Sequence, residues 1–245
     1  MSIQILKALF RTHGITISDE KLKVFEQFYI LFCQYNSKIN LSAIRDREGI
    51  WKKHFLDSLL ITKFFDLSGN RILDLGSGGG FPALPLSIFY QDIEMVALDS
   101  VGKKMKVVQE MADRLNLRLK TIHNRIEMAG QDKRFREQFD TVIARALAPW
   151  PVLLEYGLPF VKKGGRFIAY QGPSIKKELL EYKGLEKCLG GEIEDVFSDK
   201  IEDMERVFVS VKKIQLCSKK FPRSNGKPRS IPLEGKSCFN CLLLL

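Results

Sequence analysis

A chain of 245 residues, 45% hydrophobic and 28% charged, can bury one large core or a core with a small helical annex. No run of about 18 apolar residues occurs, and the apolar part of the opening MSIQILKALFRTHG is too short and interrupted for a signal peptide; a soluble, cytoplasmic protein is expected. The formal net charge of +10 points to a partner made of phosphates, because neutralising them releases counterions.

Residues 1 to 66 read as helices. Ser18 precedes DEKLKVFEQFYILFCQYN, where Leu22, Phe25, Phe28, Tyr29, Phe32 and Tyr35 recur at helical spacing and acids occupy the first turn. NLSAI then connects to a second helix, expected from Asp46 through GIWKKHFLDSLLITKFF. After the break Leu67, Ser68, Gly69, Asn70, short apolar runs alternate with amphipathic stretches. RILDLG, EMVALDS, RLKTIHN, FDTVIARA and GRFIAYQG read as strands, and that βαβ rhythm predicts a parallel sheet with helices on both faces. EIEDVFSD and ERVFVSVKKI lie too close together for a crossover helix, so they read as a terminal hairpin that brings in an antiparallel strand.

ILDLGSGGGF, residues 72 to 81, is the strongest local signal. A strand carrying Asp74 runs directly into Gly76, Gly78, Gly79 and Gly80, so the backbone can turn tightly and approach a ligand without obstruction by Cβ. A nucleotide-like cofactor is implied. A dinucleotide loop would carry a third glycine where Phe81 stands; the bulky ring suits the edge of an adenosine pocket instead. Asp74 would repel a pyrophosphate and attract a cationic amino group. Pro82 suits the first turn of the next helix. Asp99, at the carboxyl end of the second strand, either accepts hydrogen bonds from both ribose hydroxyls or caps the helix that starts near Lys103.

Between Lys212 and Lys236 stand Lys212, Lys213, Lys219, Lys220, Arg223, Lys227, Arg229 and Lys236 against Glu234 alone. This stretch is either a solvated tail or a nucleic-acid contact. Its prolines and glycine keep it on a loop that can follow a phosphate backbone. The cysteines Cys33, Cys188, Cys217, Cys238 and Cys241 are odd in number and scattered, which argues against a disulfide framework and for a reducing compartment. Cys238 and Cys241 form a CxxC without a second ligand pair, so no metal is expected. The closing run Leu242 to Leu245 has no physical account.

NLSAIRDREGIWKKHFLDSL, LDLGSGGGFPALPLSI, ALDSVGKKM, ARALAPW and FPRSNGKPRSIPL, in this order, resemble the small-subunit ribosomal RNA guanine-N7 methyltransferase G family, over roughly residues 36 to 233. The resemblance implies a class I methyltransferase fold: a doubly wound, mostly parallel seven-stranded sheet with an antiparallel terminal strand. Domains are expected at 1–66 (helical extension), 67–216 (cofactor-binding domain) and 217–245 (basic tail). It further implies transfer of a methyl from S-adenosylmethionine to N7 of a guanine in the decoding region of 16S ribosomal RNA, with the RNA or the small subunit as partner and no stable protein partner. On this reading Asp74, Gly76, Gly78 and Phe81 border the cofactor. Asp99, Ser100 and Val101 hold the ribose side, Ile126 and Glu127 the adenine side, and Arg145, the candidate catalytic residue, approaches the methyl donor.

Asn40, His54, Asp57 and Ser58 match the family's N-terminal signature, with His54 read as structural. Lys219, Lys220, Arg223, Lys227 and Arg229 are the expected RNA contacts. After the fourth strand there is neither the D/N-P-P-Y/F run of enzymes acting on exocyclic amines nor a cysteine nucleophile. The acceptor is therefore expected to be a ring nitrogen with a free lone pair, which need only be aligned. Arg145 orients or stabilises charge there, or is a salt-bridged arginine at a strand end. Two other classes of function stay open: a non-catalytic RNA-binding protein on the same fold, and a small-molecule methyltransferase. The family pattern offers nothing for EGKSCFNCLLLL.

Overall fold

The computed structural model describes residues 3–224 and 226–234; the CxxC and the terminal leucines lie outside them. The chain forms two compact units, Met1–His123 and Asn124–Leu245.

In the first unit, α1 (Ile3–Thr12) and α2 (Asp19–Asn36) precede a helical stretch. Ser18 caps α2 by accepting the Lys21 N–H at 3.3 Å, with Asp19 and Glu20 in the first turn, as the capping rule requires. The expected second helix is one continuous path wound in several ways. It comprises α3 (Arg47–Ile50), a π-helical turn (Trp51–Leu56), α4 (Asp57–Leu59) and a 3-10 turn (Leu60–Lys63). Every residue from His54 to Ile61 is buried, so the stretch is enclosed on all sides rather than presenting one face. A parallel sheet follows: β1 (Arg71–Leu75), β2 (Glu94–Asp99) and β3 (Leu119–His123), with β2 central. Its crossovers are α5 (Ala83–Phe89) and α6 (Gly102–Arg114), and its strands read as apolar runs because both faces are covered.

In the second unit, α7 (Ile126–Ala129) leads to β4 (Phe139–Arg145), α8 (Trp150–Gly157), β5 (Val161–Gln171) and α9 (Ile175–Glu181). β6 (Gly191–Ile201), β7 (Met204–Lys213) and α10 (Lys227–Ser230) follow. β4 and β5 are parallel, and β7 is antiparallel to both β5 and β6. The expected hairpin therefore forms, closed by two residues between Ile201 and Met204 with Glu202 at φ 54°. α8 is buried along its whole length, including Glu155.

Candidate cofactor and RNA sites

Each unit carries its own part of the expected site. In the first, β1 delivers the chain into Gly76 and Gly78, at φ 70° and 56°, a left-handed conformation that favours glycine. A Cβ built on Gly78 would meet only the Gly76 carbonyl, at 3.9 Å, so space beside the loop is open to a ligand. Asp99 locks this turn: Oδ2 accepts the Gly78 N–H at 2.9 Å and Oδ1 the Val101 N–H at 2.8 Å. Each oxygen keeps a further lone pair. Asp99 is half-buried, while Ser100 and Val101 are exposed. α6 begins after Val101 without a side-chain cap, so Asp99 braces the loop rather than the helix end. The open loop, the carboxylate and its free lone pairs fit an adenosine-type cofactor.

Two expected contacts are placed differently. Asp74 is fully buried, and its Oδ2 accepts the Ala83 N–H at 3.2 Å, so it fixes the start of α5. The Phe81 ring, expected at the edge of an adenosine pocket, turns inward. It is 5% exposed and stacks on His54 with centroids 4.4 Å apart, with Phe32 and Phe28 at 5.2 and 5.7 Å. Aromatic burial among the N-terminal helices outweighs exposure at the loop; only the backbone of Phe81 remains there.

His54 in turn shares a 2.7 Å hydrogen bond with the Ser42 hydroxyl. The connecting loop is braced by Asn36, whose Oδ1 accepts the N–H groups of Leu41 and Ser42 at 2.9 and 3.0 Å. Of the signature residues, Asp57 and Ser58 are fully buried and Asn40 is exposed.

In the second unit, Glu127 is 6% exposed and helps line a cleft of about 320 Å³ with Arg125, Met128 and Gly226. Its Oε1 accepts the Tyr156 hydroxyl at 3.0 Å. Ile126, buried beside it, opens α7. Arg145 ends β4 in register with Tyr170 of β5. It is followed by Ala146 at φ 51°, a conformation sparse for a residue with a Cβ that turns the chain sharply off the strand end.

The basic stretch is docked rather than loose. Arg136 donates to the carbonyls of Gly130, Cys217, Ser218 and Phe221 at 2.6 to 3.1 Å. The Gln131 amide donates to the carbonyls of Lys219 and Pro222. Glu137 accepts the Cys217 N–H at 2.9 Å. Pro222 lies so close to Gly130 that a Cβ there would sit 2.7 Å from the proline ring.

Arg223, expected on the RNA surface, is half-buried and committed to an interior acid. Its guanidinium pairs with both oxygens of Glu155, fully buried on α8, and with the Ile231 carbonyl. A carboxylate enclosed in apolar surroundings needs such a partner. Lys213 also leaves the basic surface. Fully buried, its ammonium donates to the carbonyls of Leu158 and Leu189, and burial pushes its pKa down to about 8. Lys219, Lys220, Lys227 and Arg229 remain exposed. Among the described cysteines, Cys33 and Cys217 are free thiols. Cys188 is disulfide-bonded, a departure from the expectation of a fully reduced set. No group of three or more metal-ligating residues, and no helix long and apolar enough to cross a membrane, occurs among the described residues.

Sequence reasoning missed Arg136, Gln131, Tyr156 and Glu155. Only Glu155 left a signal, as the one acid in the otherwise apolar WPVLLEYG.

Comparison with known proteins gives the fold and the family. A 16S rRNA (adenine(1408)-N(1))-methyltransferase from Catenulisporales acidiphilia, solved as a mutant, superposes with a TM-score of 0.51 at 15% identity, over 61% of this chain and 87% of that one. That likeness establishes the doubly wound class I methyltransferase fold. The ribosomal RNA small subunit methyltransferase G of Lachnoclostridium phytofermentans is 40% identical over 230 residues, 92% of this chain and 95% of that protein. Its namesake from Bacillus subtilis is 37% identical over 239 residues, 96% and 100% of the two chains. The family model for rRNA small subunit methyltransferase G matches residues 21–227, which takes in the braced loop, the glycine turn, Asp99, Glu127, Arg145 and most of the docked basic segment, and the chain belongs to that family.

Proposed function

We propose that this chain is a cytoplasmic S-adenosylmethionine-dependent methyltransferase acting on N7 of a guanine in 16S ribosomal RNA, as free RNA or within the small subunit. The observation that carries the reading is the glycine turn locked by Asp99 with open space beside Gly78, in a chain of this family. When bound, the cofactor supplies a methyl group on a sulfonium centre. Gly76, Gly78 and the Phe81 backbone line its side of the loop, Asp99, Ser100 and Val101 hold the ribose, and Ile126 and Glu127 hold the adenine. Asp74 shapes the loop from behind. Arg145, at the end of β4, orients the acceptor base or balances charge as it develops. Guanine N7 carries a free lone pair, so no residue need remove a proton; alignment alone supplies the acceleration.

The test is transfer of radiolabelled methyl from S-adenosylmethionine to small subunits lacking their native methylations, followed by nucleoside analysis. Label in 7-methylguanosine at one site is the expected result. Cofactor binding without label would overturn the substrate, and no cofactor binding would overturn the enzyme.

The exposed cations Lys219, within the docked segment, and Lys227, beyond it, are proposed phosphate contacts, with Lys220 and Arg229 beside them. Lys219→Glu combined with Lys227→Glu is expected to weaken RNA binding and to reduce the slope of log affinity against log salt by about two, leaving cofactor affinity and thermal stability unchanged. Filter binding across a salt series reads this. An unchanged slope would remove both lysines from the RNA surface.

A further inference from the structure

Tyr156 projects from the fully buried helix α8, is itself 2% exposed, and carries a hydroxyl that an apolar core would not select. It donates to the Glu127 carboxylate at 3.0 Å, which fixes the order of the pair: Tyr156 the donor, Glu127 the acceptor. The guanidinium of Arg229, held by the Leu147 carbonyl at 3.0 Å, acts on the phenol only through its charge. Burial, then the hydrogen bond to Glu127, push the phenol up to about 12, so it remains a donor throughout the working pH range.

With Glu127 Oε1 taken up, Oε2 is the acceptor left for a ligand in the cleft that Glu127 shares with Arg125, Met128 and Gly226. Gly226 belongs to the C-terminal basic segment, which thus supplies a wall of the cleft.

We propose that Tyr156 is a positioning residue for the adenine side of the cofactor site, fixing the Glu127 carboxylate so that its second oxygen accepts the adenine amino group. This rests on the assignment of Glu127 to the adenine.

The test is calorimetric binding of S-adenosylhomocysteine and of S-inosylhomocysteine, in which a carbonyl replaces the amino group, to the native chain, Tyr156→Phe and Glu127→Gln. The native chain is expected to prefer the adenosyl form by roughly thirtyfold or more, because a carbonyl facing a carboxylate leaves both unpaired. Tyr156→Phe keeps the ring and removes the tether, and is expected to narrow that preference by about tenfold, mainly through loss of adenosyl affinity. Glu127→Gln, whose amide can donate to the carbonyl, is expected to abolish or reverse it.

Both ligands meet the same folded fraction, so a mere loss of stability lowers both affinities alike and leaves their ratio unchanged. An unchanged ratio in Tyr156→Phe, with a clear preference in the native chain, overturns the role of Tyr156 alone. Absence of any preference in the native chain overturns the assignment of Glu127 and this inference with it.

Discussion

Asp99→Ala should bind S-adenosylmethionine about a hundredfold more weakly than the native chain, the sum of two charge-assisted hydrogen bonds worth roughly 1.5 kcal/mol each. The loss has two sources. The proposed ribose contacts disappear, and so do the acceptors for Gly78 and Val101 that hold the glycine turn. The two sources separate with Asp99→Asn. An amide carries one acceptor oxygen where the carboxylate has two, so either Gly78 or Val101 faces an NH₂ group and the turn loosens even though a ribose hydroxyl can still be met. Asp99→Asn should therefore fall nearer to Asp99→Ala than to the native chain. Because the contact is a short-range hydrogen bond and not a phosphate contact, the effect should hold across a salt series in which RNA binding by the Lys219/Lys227 variant changes slope. Isothermal titration calorimetry with S-adenosylmethionine reads all three; native affinity in Asp99→Ala would place the ribose elsewhere.

The features legible in sequence share a property: local chemistry dictated them. Ser18 before a run of acids and periodic aromatics leaves a helix start few alternatives. Glycines at 76 and 78 after an apolar strand permit few structures besides a tight turn, and the short gap between β6 and β7 forbids a crossover.

What stayed hidden was decided by partners distant in sequence. The sequence reads 46–65 as one helix, and only the enclosure of His54 to Ile61 shows why it winds in several ways. Phe81 sits in a loop whose chemistry suggests a ligand edge, yet four aromatic rings from other segments draw it inward. A count of basic residues treats Lys213, Arg223 and Lys227 alike. Burial separates them: the first is enclosed by carbonyls, the second by a carboxylate, and the third is exposed.

Arg223→Ala follows from that separation, and it should behave as a core mutation. Glu155 would be left fully buried with a single donor, the backbone N–H of residue 223 at 2.8 Å, in place of a bidentate guanidinium. Removing one partner of such a pair costs about 3 kcal/mol or more, since the remaining charge is uncompensated, and in a chain of this size that lowers the melting temperature by about 6–12 °C. The turn around Arg223 would loosen too, because the same guanidinium holds the Ile231 carbonyl. Replacing both partners together, Glu155→Leu with Arg223→Met, removes the stranded charge and should recover most of the loss, a recovery that a surface phosphate contact could not show. Calorimetric melting of the two single variants and the double variant decides the matter. Strong non-additivity marks Arg223 as the counter-ion of a buried acid, whereas an unchanged melting temperature with weakened RNA binding would return it to the basic surface.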